Sequence, residues 1–388
     1  MDQIYLDNAA CTPADPRVID YAASFYDGKI GNPSTLHSRG LTARAALEEA
    51  RGRVKTLLNA EDEKCIVFTS GATEANNLAI RGTALRNPKL GTHLVASRIE
   101  HISVLNPMKD LQKQGYTFDL VPVDATGLAD LETLKSLVTK GTAVVSVMAA
   151  NSEIGTIEPI HEISDIVHAA GAYLHVDATA AAGHIPVDVQ RDGIDLCSVS
   201  SNDLTGPQGA GALYVRSGLK VQPVLVGGGQ ERGLRPGTEN LFAIVGMGEA
   251  ARLTMLEMES EADRVRRIRD ALISEITKVK ESYLTGHPVR RLPNQASFRF
   301  SYIEGESIVL LMDQFGVQVS TGSACSSLTL EPSHVLLALG LKHEEVHGSM
   351  VLSLGRSNSL EQVPRVATAV TETVNRLRML SPLSSDRR

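Results

Sequence analysis

Residues 198–209, SVSSNDLTGPQG, leave the apolar run Ile194-Asp195-Leu196-Cys197 and turn through small polar residues into a glycine-rich return. Such a turn presents side chains to a ligand, and this one presents Asn202 and Asp203, neither of them a strong nucleophile. Other stretches carry chemistry more openly. TSGATEANN, residues 69–77, follows a strand-like run and opens a helix-like one. Its backbone N–H groups, with the Thr73 hydroxyl, form an anion cradle suited to phosphate. The same residues also read as an ordinary helix start, with Ser70 and Glu74 close to capping-box spacing. RIEHISVLN places His101 after a strand end, as a structural histidine or a ligand-facing one. HVDATAAAG places Asp177 at the carboxyl end of another strand, where ligands of open α/β sheets gather. An acid there either pairs with a protonated ring nitrogen of a cofactor or caps a turn.

Three further segments add candidates. VGGGQERGLRPGTEN, residues 226–240, is a glycine-rich loop carrying Arg232 and Arg235, facing phosphate or forming a surface turn. STGSACSS, residues 320–327, sets Cys325 among small polar residues, so its thiol should be exposed. A loop cysteine without a function is a liability. VLSLGR ends a strand with Arg356, which either clamps a carboxylate or makes an ion pair.

The elements that must position these residues follow from the apolar pattern. Between about residues 64 and 215 the runs CIVFT, HLVAS, TFDLVPV, AVVSVMA, AYLHVDA, DLCSVS and GALYV alternate with helix-length segments such as 72–85 and 160–170. That rhythm predicts an α/β domain with a mainly parallel sheet covered on both faces. A long helix is predicted over about 241–279, then shorter elements: ASFRFSYI, helices near 306–315 and 333–341, MVLSLG, and a final helix near 360–380. In that last helix Val363, Val366, Val370, Val374 and Leu377 form one apolar stripe. We expect a large α/β domain over residues 14–258. A smaller α+β domain is expected over 1–13 and 259–388, carrying the cysteine loop.

The 388 residues are 43% hydrophobic and 21% charged, with a net charge of −7, an ordinary globular composition that does not suit a nucleic-acid partner. The first residues, MDQIYLDNAACTP, have neither a basic nor an apolar leader region, and no stretch is long and apolar enough to span a membrane, so a cytoplasmic protein is expected. The four cysteines, Cys11, Cys65, Cys197 and Cys325, include no CxxC pair and point to neither a disulfide framework nor a self-contained metal site.

Taken in order, the motifs YLDNAACTPADP, GNPSTLHSRG, FTSGATEANNLAI, EIGT, HVDAT, GPQGAGALYVR, GGGQERGLRPGTEN, YIEGESIVL, STGSACSS, EPSHVLLALGL, SLGR and RLRMLSPL resemble the cysteine desulfurases of the NifS/IscS type. The resemblance runs nearly end to end. It implies the pyridoxal-phosphate-dependent, aspartate aminotransferase-like fold of class V, in a homodimer with cofactor pockets at the subunit interface. By the same resemblance Ala72 and Thr73 hold the cofactor phosphate, and Thr238 reaches it from the partner chain. His101 stacks on the pyridine ring, Asp177 pairs with the ring nitrogen, and Ser200 and Asn202 lie at cofactor-binding positions. Arg356 holds the substrate carboxylate, and Cys325 attacks substrate sulfur and carries a persulfide.

Four positions depart from the family pattern. Where the family has S-x-H-K, this chain has Ser200-Ser201-Asn202-Asp203, which puts Asp203 in place of the Schiff-base lysine. Ala180 stands for a glutamine that contacts the cofactor's phenolic oxygen, and Ser152 for a second asparagine. Each lost neutral hydrogen bond is worth on the order of 1 kcal/mol. A carboxylate facing a dianionic cofactor adds repulsion of roughly a few kcal/mol at an effective dielectric near 20. The expectation is therefore a protein that holds pyridoxal phosphate at most non-covalently and has lost Schiff-base chemistry. It would act as a dimeric partner of an iron–sulfur scaffold protein of the IscU type, docked near the Cys325 loop and the C-terminal segment. Cys325 would be a ligand to a shared [2Fe–2S] cluster. The alternative is an active cysteine desulfurase with non-covalently bound pyridoxal phosphate, converting L-cysteine to L-alanine with the persulfide on Cys325.

Overall fold

A computed structural model describes residues 3–26, 28, 30–322 and 332–382. A two-residue strand, β1 (Ile4–Tyr5), leads into helices α1 (Pro16–Ala23) and α2 (Ser38–Leu57). The alternating block follows as β2 (Ile66–Thr69), α3 (Ala72–Arg86), β3 (His93–Ser97), α4 (Ile102–Gln112), β4 (Thr117–Val121), α5 (Leu131–Leu137), β5 (Thr142–Ser146), α6 (Ile160–Ala169), β6 (Tyr173–Asp177), β7 (Leu196–Ser200) and β8 (Gly211–Val215). After it come α7 (Leu241–Ile276), β9 (Ser282–Thr285), β10 (Gln295–Phe300), α8 (Gly305–Gln314), β11 (Val317–Gln318), α9 (His334–Ala338), α10 (His343–Val346), β12 (Ser349–Ser353) and α11 (Val363–Leu380).

The seven apolar runs read from the sequence become one seven-stranded sheet, ordered β2-β8-β7-β6-β5-β3-β4. Every pairing from β7 outward to β4 is parallel, while β8 runs antiparallel to both β2 and β7. Strands β2, β5, β7 and β8 are buried at every position, as a sheet covered on both faces requires. This is the α/β layering expected, with one antiparallel strand set into it.

A second sheet, β12-β10-β9, is antiparallel, and β1 pairs with β11 in parallel. Its core gathers Ile4, Leu6, Phe298, Phe300, Met350 and Leu352 under the predicted α11 stripe of Val363, Val366, Val370 and Val374. The 36-residue α7 serves both cores. Ala243, Ile244 and Met247 pack into the main core, while Val265, Ile268, Leu272 and Ile276 pack into the second. Helix α2 lies close along α7, because a Cβ at Gly248 would stand 2.6 Å from the Ala50 Cα.

Candidate active site

The carboxyl ends of the parallel strands gather the chemistry, as the reversal of strand order in an open α/β sheet dictates. Strand β6 ends at Asp177, which is buried at 6% exposure. Its Oδ2 accepts from Asn76 Nδ2 at 2.7 Å, and its Oδ1 accepts from the Thr179 amide and hydroxyl at 3.0 and 2.5 Å. The turn-capping reading of this residue is thus met by Oδ1, while Oδ2 is held by Asn76.

Asn76 also donates to Ser103 Oγ at 2.9 Å, and Ser103 Oγ lies 2.7 Å from His101 Nδ1. His101 is the N-cap of α4 and takes the Ser103 amide on the same nitrogen at 3.1 Å. Burial, aided by His334, outweighs the charge of Asp177 and lowers the His101 pKa, which favours the uncharged ring.

The turn after β7 is a single 3₁₀ turn, Asn202–Leu204, closed by Thr205 in the left-handed region at φ 64°. Asp203 is half-buried there. Desolvation raises its pKa to about 7, helped by the negative charge of Asp177 and opposed by a hydrogen bond from Ser200. That corrects the electrostatic part of the expectation. A carboxyl poised near neutrality escapes repulsion by an anionic ligand simply by keeping its proton. Lys220 does not take over from it by proximity, since it lies at the far end of α3, where its carbonyl accepts from Asn87. The 15 residues of α3 put that end about 22 Å from the site.

Helix α3 starts at Gly71 with no side-chain cap, which leaves its first-turn N–H groups to an external anion. Ala72 is half-buried and Thr73 exposed at this start. Glu74 does take the Ser70 amide, at 2.7 Å, so half of the predicted capping box forms without covering the helix end. The glycine-rich loop is firmly tied to the fold. Buried Glu231 binds Arg51 through both oxygens at 2.7 Å and takes the Phe68 amide at 2.8 Å. Arg232 donates to the Ile66 carbonyl and Arg235 to Glu74, while Thr238 is exposed.

Arg356 is engaged in an ion-pair network, 2.5 Å from Glu257 and 3.6 Å from Asp15, with one-third of its side chain exposed. Ser152 is exposed and Ala180 half-buried. The Asn151 side chain turns inward, accepting from the Glu153 and Ile154 amides. Cys325 and the last residue of the RLRMLSPL segment lie outside the described residues. Among the described residues no cluster of three His, Cys, Asp or Glu side chains is placed to hold a metal ion, and no helix is long and apolar enough to cross a membrane.

Sequence reasoning missed several groups. A cavity of about 150 Å³ opens beside His101, lined among others by Asp7, Glu100, Asn151, Glu153, Ser320 and His334. Burial drives Glu100 well above the carboxylate range and Glu153 to about 8, the latter although Ser333 Oγ donates to it at 2.8 Å. Cys11 stands by the opening turn, with Gln208 Nε2 2.9 Å from its sulfur and Asn202 Oδ1 at 3.7 Å. The only sequence signal for these acids was their place inside the motifs IEH and EIGT.

Over residues 4–366 the chain matches the family described as Aminotransferase class-V. The chain belongs to the class V aminotransferase family. It is 54% identical over 379 residues to Cysteine desulfurase IscS 1 of Archaeoglobus fulgidus, covering 98% of this chain and 99% of that one. It is 44% identical to Cysteine desulfurase IscS of Methanosarcina thermophila, covering 98% and 94%. Among solved structures a NifS-like protein superposes with a TM-score of 0.90 at 34% identity, covering 97% of this chain and 100% of the other. The sheet and its flanking helices are thus the pyridoxal-phosphate transferase fold expected of class V members.

Among the described residues, several fit that cofactor. The uncapped start of α3 suits its phosphate, Asp177 its ring nitrogen, and the neutral ring of His101 its aromatic face. Asp203 cannot bond to it covalently as a lysine amine would.

Proposed function

We propose that this chain is a cysteine desulfurase of iron–sulfur cluster biogenesis that holds pyridoxal phosphate by non-covalent contacts. The observation that carries this reading is whole-length similarity to IscS-type desulfurases combined with a site whose Asp177, His101 and α3 start fit the cofactor. Bound there, the cofactor supplies an electron sink for cleavage of the substrate carbon–sulfur bond. Asp203, with a pKa of about 7, is matched to accept and return a proton near neutral pH. Arg356, shifted from Glu257, takes the substrate carboxylate. The Cys325 thiolate attacks the substrate sulfur, the carbon–sulfur bond breaks, and a proton completes L-alanine while the persulfide stays on Cys325. The balance is cysteine plus thiol giving alanine plus persulfide, with no outside oxidant.

A second reading rests on the resemblance, which aligns Asp203 with the lysine of the family motif S-x-H-K. On that reading the chain has lost the reaction. It acts as a homodimer that docks a scaffold protein, with Cys325 as one ligand of a [2Fe–2S] cluster whose other ligands the scaffold supplies.

An absorbance spectrum with pyridoxal phosphate and then cysteine, with alanine and sulfide assayed, separates the two. A band above 400 nm with stoichiometric alanine supports the desulfurase. No alanine at saturating cofactor overturns it and leaves the scaffold partner.

A further inference from the structure

Four side chains from three elements form one hydrogen-bonded row, Asp177 on β6, Asn76 on α3, and Ser103 and His101 at the start of α4. Only some of these groups have a choice of direction. The carboxylate of Asp177 is an acceptor alone, so the Asn76 group facing it at 2.7 Å must be the amide NH₂. The second hydrogen of that same NH₂ points at Ser103 Oγ, 2.9 Å away. Ser103 Oγ therefore accepts from Asn76, and its own hydrogen remains to be donated. The atom waiting for it is His101 Nδ1, at 2.7 Å, which also receives the Ser103 backbone N–H at 3.1 Å. A ring nitrogen that accepts two hydrogen bonds cannot carry the ring proton.

We propose that Asn76 and Ser103 are positioning residues that transmit the acceptor character of Asp177 to His101 and fix its imidazole as the Nε2–H tautomer. The order of the row is what makes this specific. Asn76 is wholly buried and Ser103 nearly so, and no water is needed to complete the row. A bond from a neutral donor favours the uncharged ring, in the same sense as the burial around it. Among the described residues, Asp177 favours the charged form of His101 and His334 opposes it. The inference deepens the proposed function, since a neutral ring of fixed tautomer is what an aromatic cofactor would meet. Its truth does not depend on turnover.

The test uses the purified full chain, labelled with ¹³C and ¹⁵N at histidine, without added cofactor. The His101 signals are identified by their loss in His101→Gln. The parent should show the Nε2–H tautomer and titrate below the ordinary histidine range. Ser103→Ala should raise the proton affinity of His101 by about fivefold, the worth of one neutral hydrogen bond. Ser103→Thr, which keeps the hydroxyl, should restore the parent titration. An Nδ1–H tautomer in the parent overturns the proposal without any variant. So does a Ser103→Ala protein, folded by its dispersed spectrum, whose His101 titration is unchanged. An Nε2–H signal in a protein that makes no alanine sinks the desulfurase reading and leaves this one intact.

Discussion

Asp177 ends strand β6 and Asp203 stands in the turn leaving the adjacent parallel strand β7, so two carboxyl groups share one end of the sheet. Burial and the charge of Asp177 together lift the Asp203 pKa to about 7. The folded chain thus holds this proton more tightly than the unfolded chain. Stability from that proton is fully present below about pH 4 and is lost as the pH rises through 7.

Asp203→Asn removes the titration and keeps the shape. Variant and parent should match in stability at pH 4. At pH 8 the variant should be more stable by on the order of 2 kcal/mol, less than the full shift because Asp203 is only half-buried. Urea unfolding at the two pH values measures this; equal stability at both shows that Asp203 is well solvated.

Asp203→Lys returns an amine to the turn. With pyridoxal phosphate and then borohydride, the peptide containing residue 203 should gain the mass of the reduced cofactor, while the parent should not. Label found on another lysine in both proteins would show that Asp203 is not the position facing the cofactor aldehyde.

Gly211→Ala tests the anion cradle from behind. The added Cβ would stand 2.6 Å from the Gly71 backbone and 2.9 Å from the Val199 carbonyl, so Gly71 must move. Overpacking of this kind costs about 1–3 kcal/mol. Because Gly71 caps α3, pyridoxal phosphate affinity should fall as well, read by absorbance titration. Lower stability with unchanged affinity would detach the α3 start from the phosphate.

Glu257 is held by Arg17 and, beyond an opposing burial effect, by Arg356, which bring its pKa down to about 2. The stability it adds is present above pH 4.5 and is lost as the pH falls toward 2. Glu257→Gln should cost about 1–2 kcal/mol at pH 7 and close to nothing at pH 2. Thermal melts across that range decide it, and a cost independent of pH would assign the loss to packing.

Cys325→Ser should leave cofactor absorbance untouched while abolishing protein-bound persulfide, read by mass after cysteine is added. Persulfide that survives on the chain would move the sulfur acceptor to another thiol, with Cys11 the first to replace.

The strands were legible because a sheet covered on both faces demands continuous apolar runs, and each of the seven runs became a strand. Helix α2 was not, since it buries mainly Gly40, Ala43, Ala46 and Ala50, too small to stand out as a stripe. Asp177, His101 and the α3 start could be read from their place after strands. The pairing of Arg356 with Glu257 joins residues 99 positions apart, and nothing local announces it. Nor could the proton affinities of Asp203, Glu100 and Glu153 be read, because burial sets them and burial belongs to the fold.

Helix α7 gives the molecule a mechanical continuity. About 54 Å of unbroken helix has one half seated in each core. A helix gains most of its stability from the surface it packs against, so loss of either core strips half the rod and loosens its hold on the other. The two cores should therefore melt in one transition, and a cut between residues 258 and 259 should leave neither fragment able to fold alone.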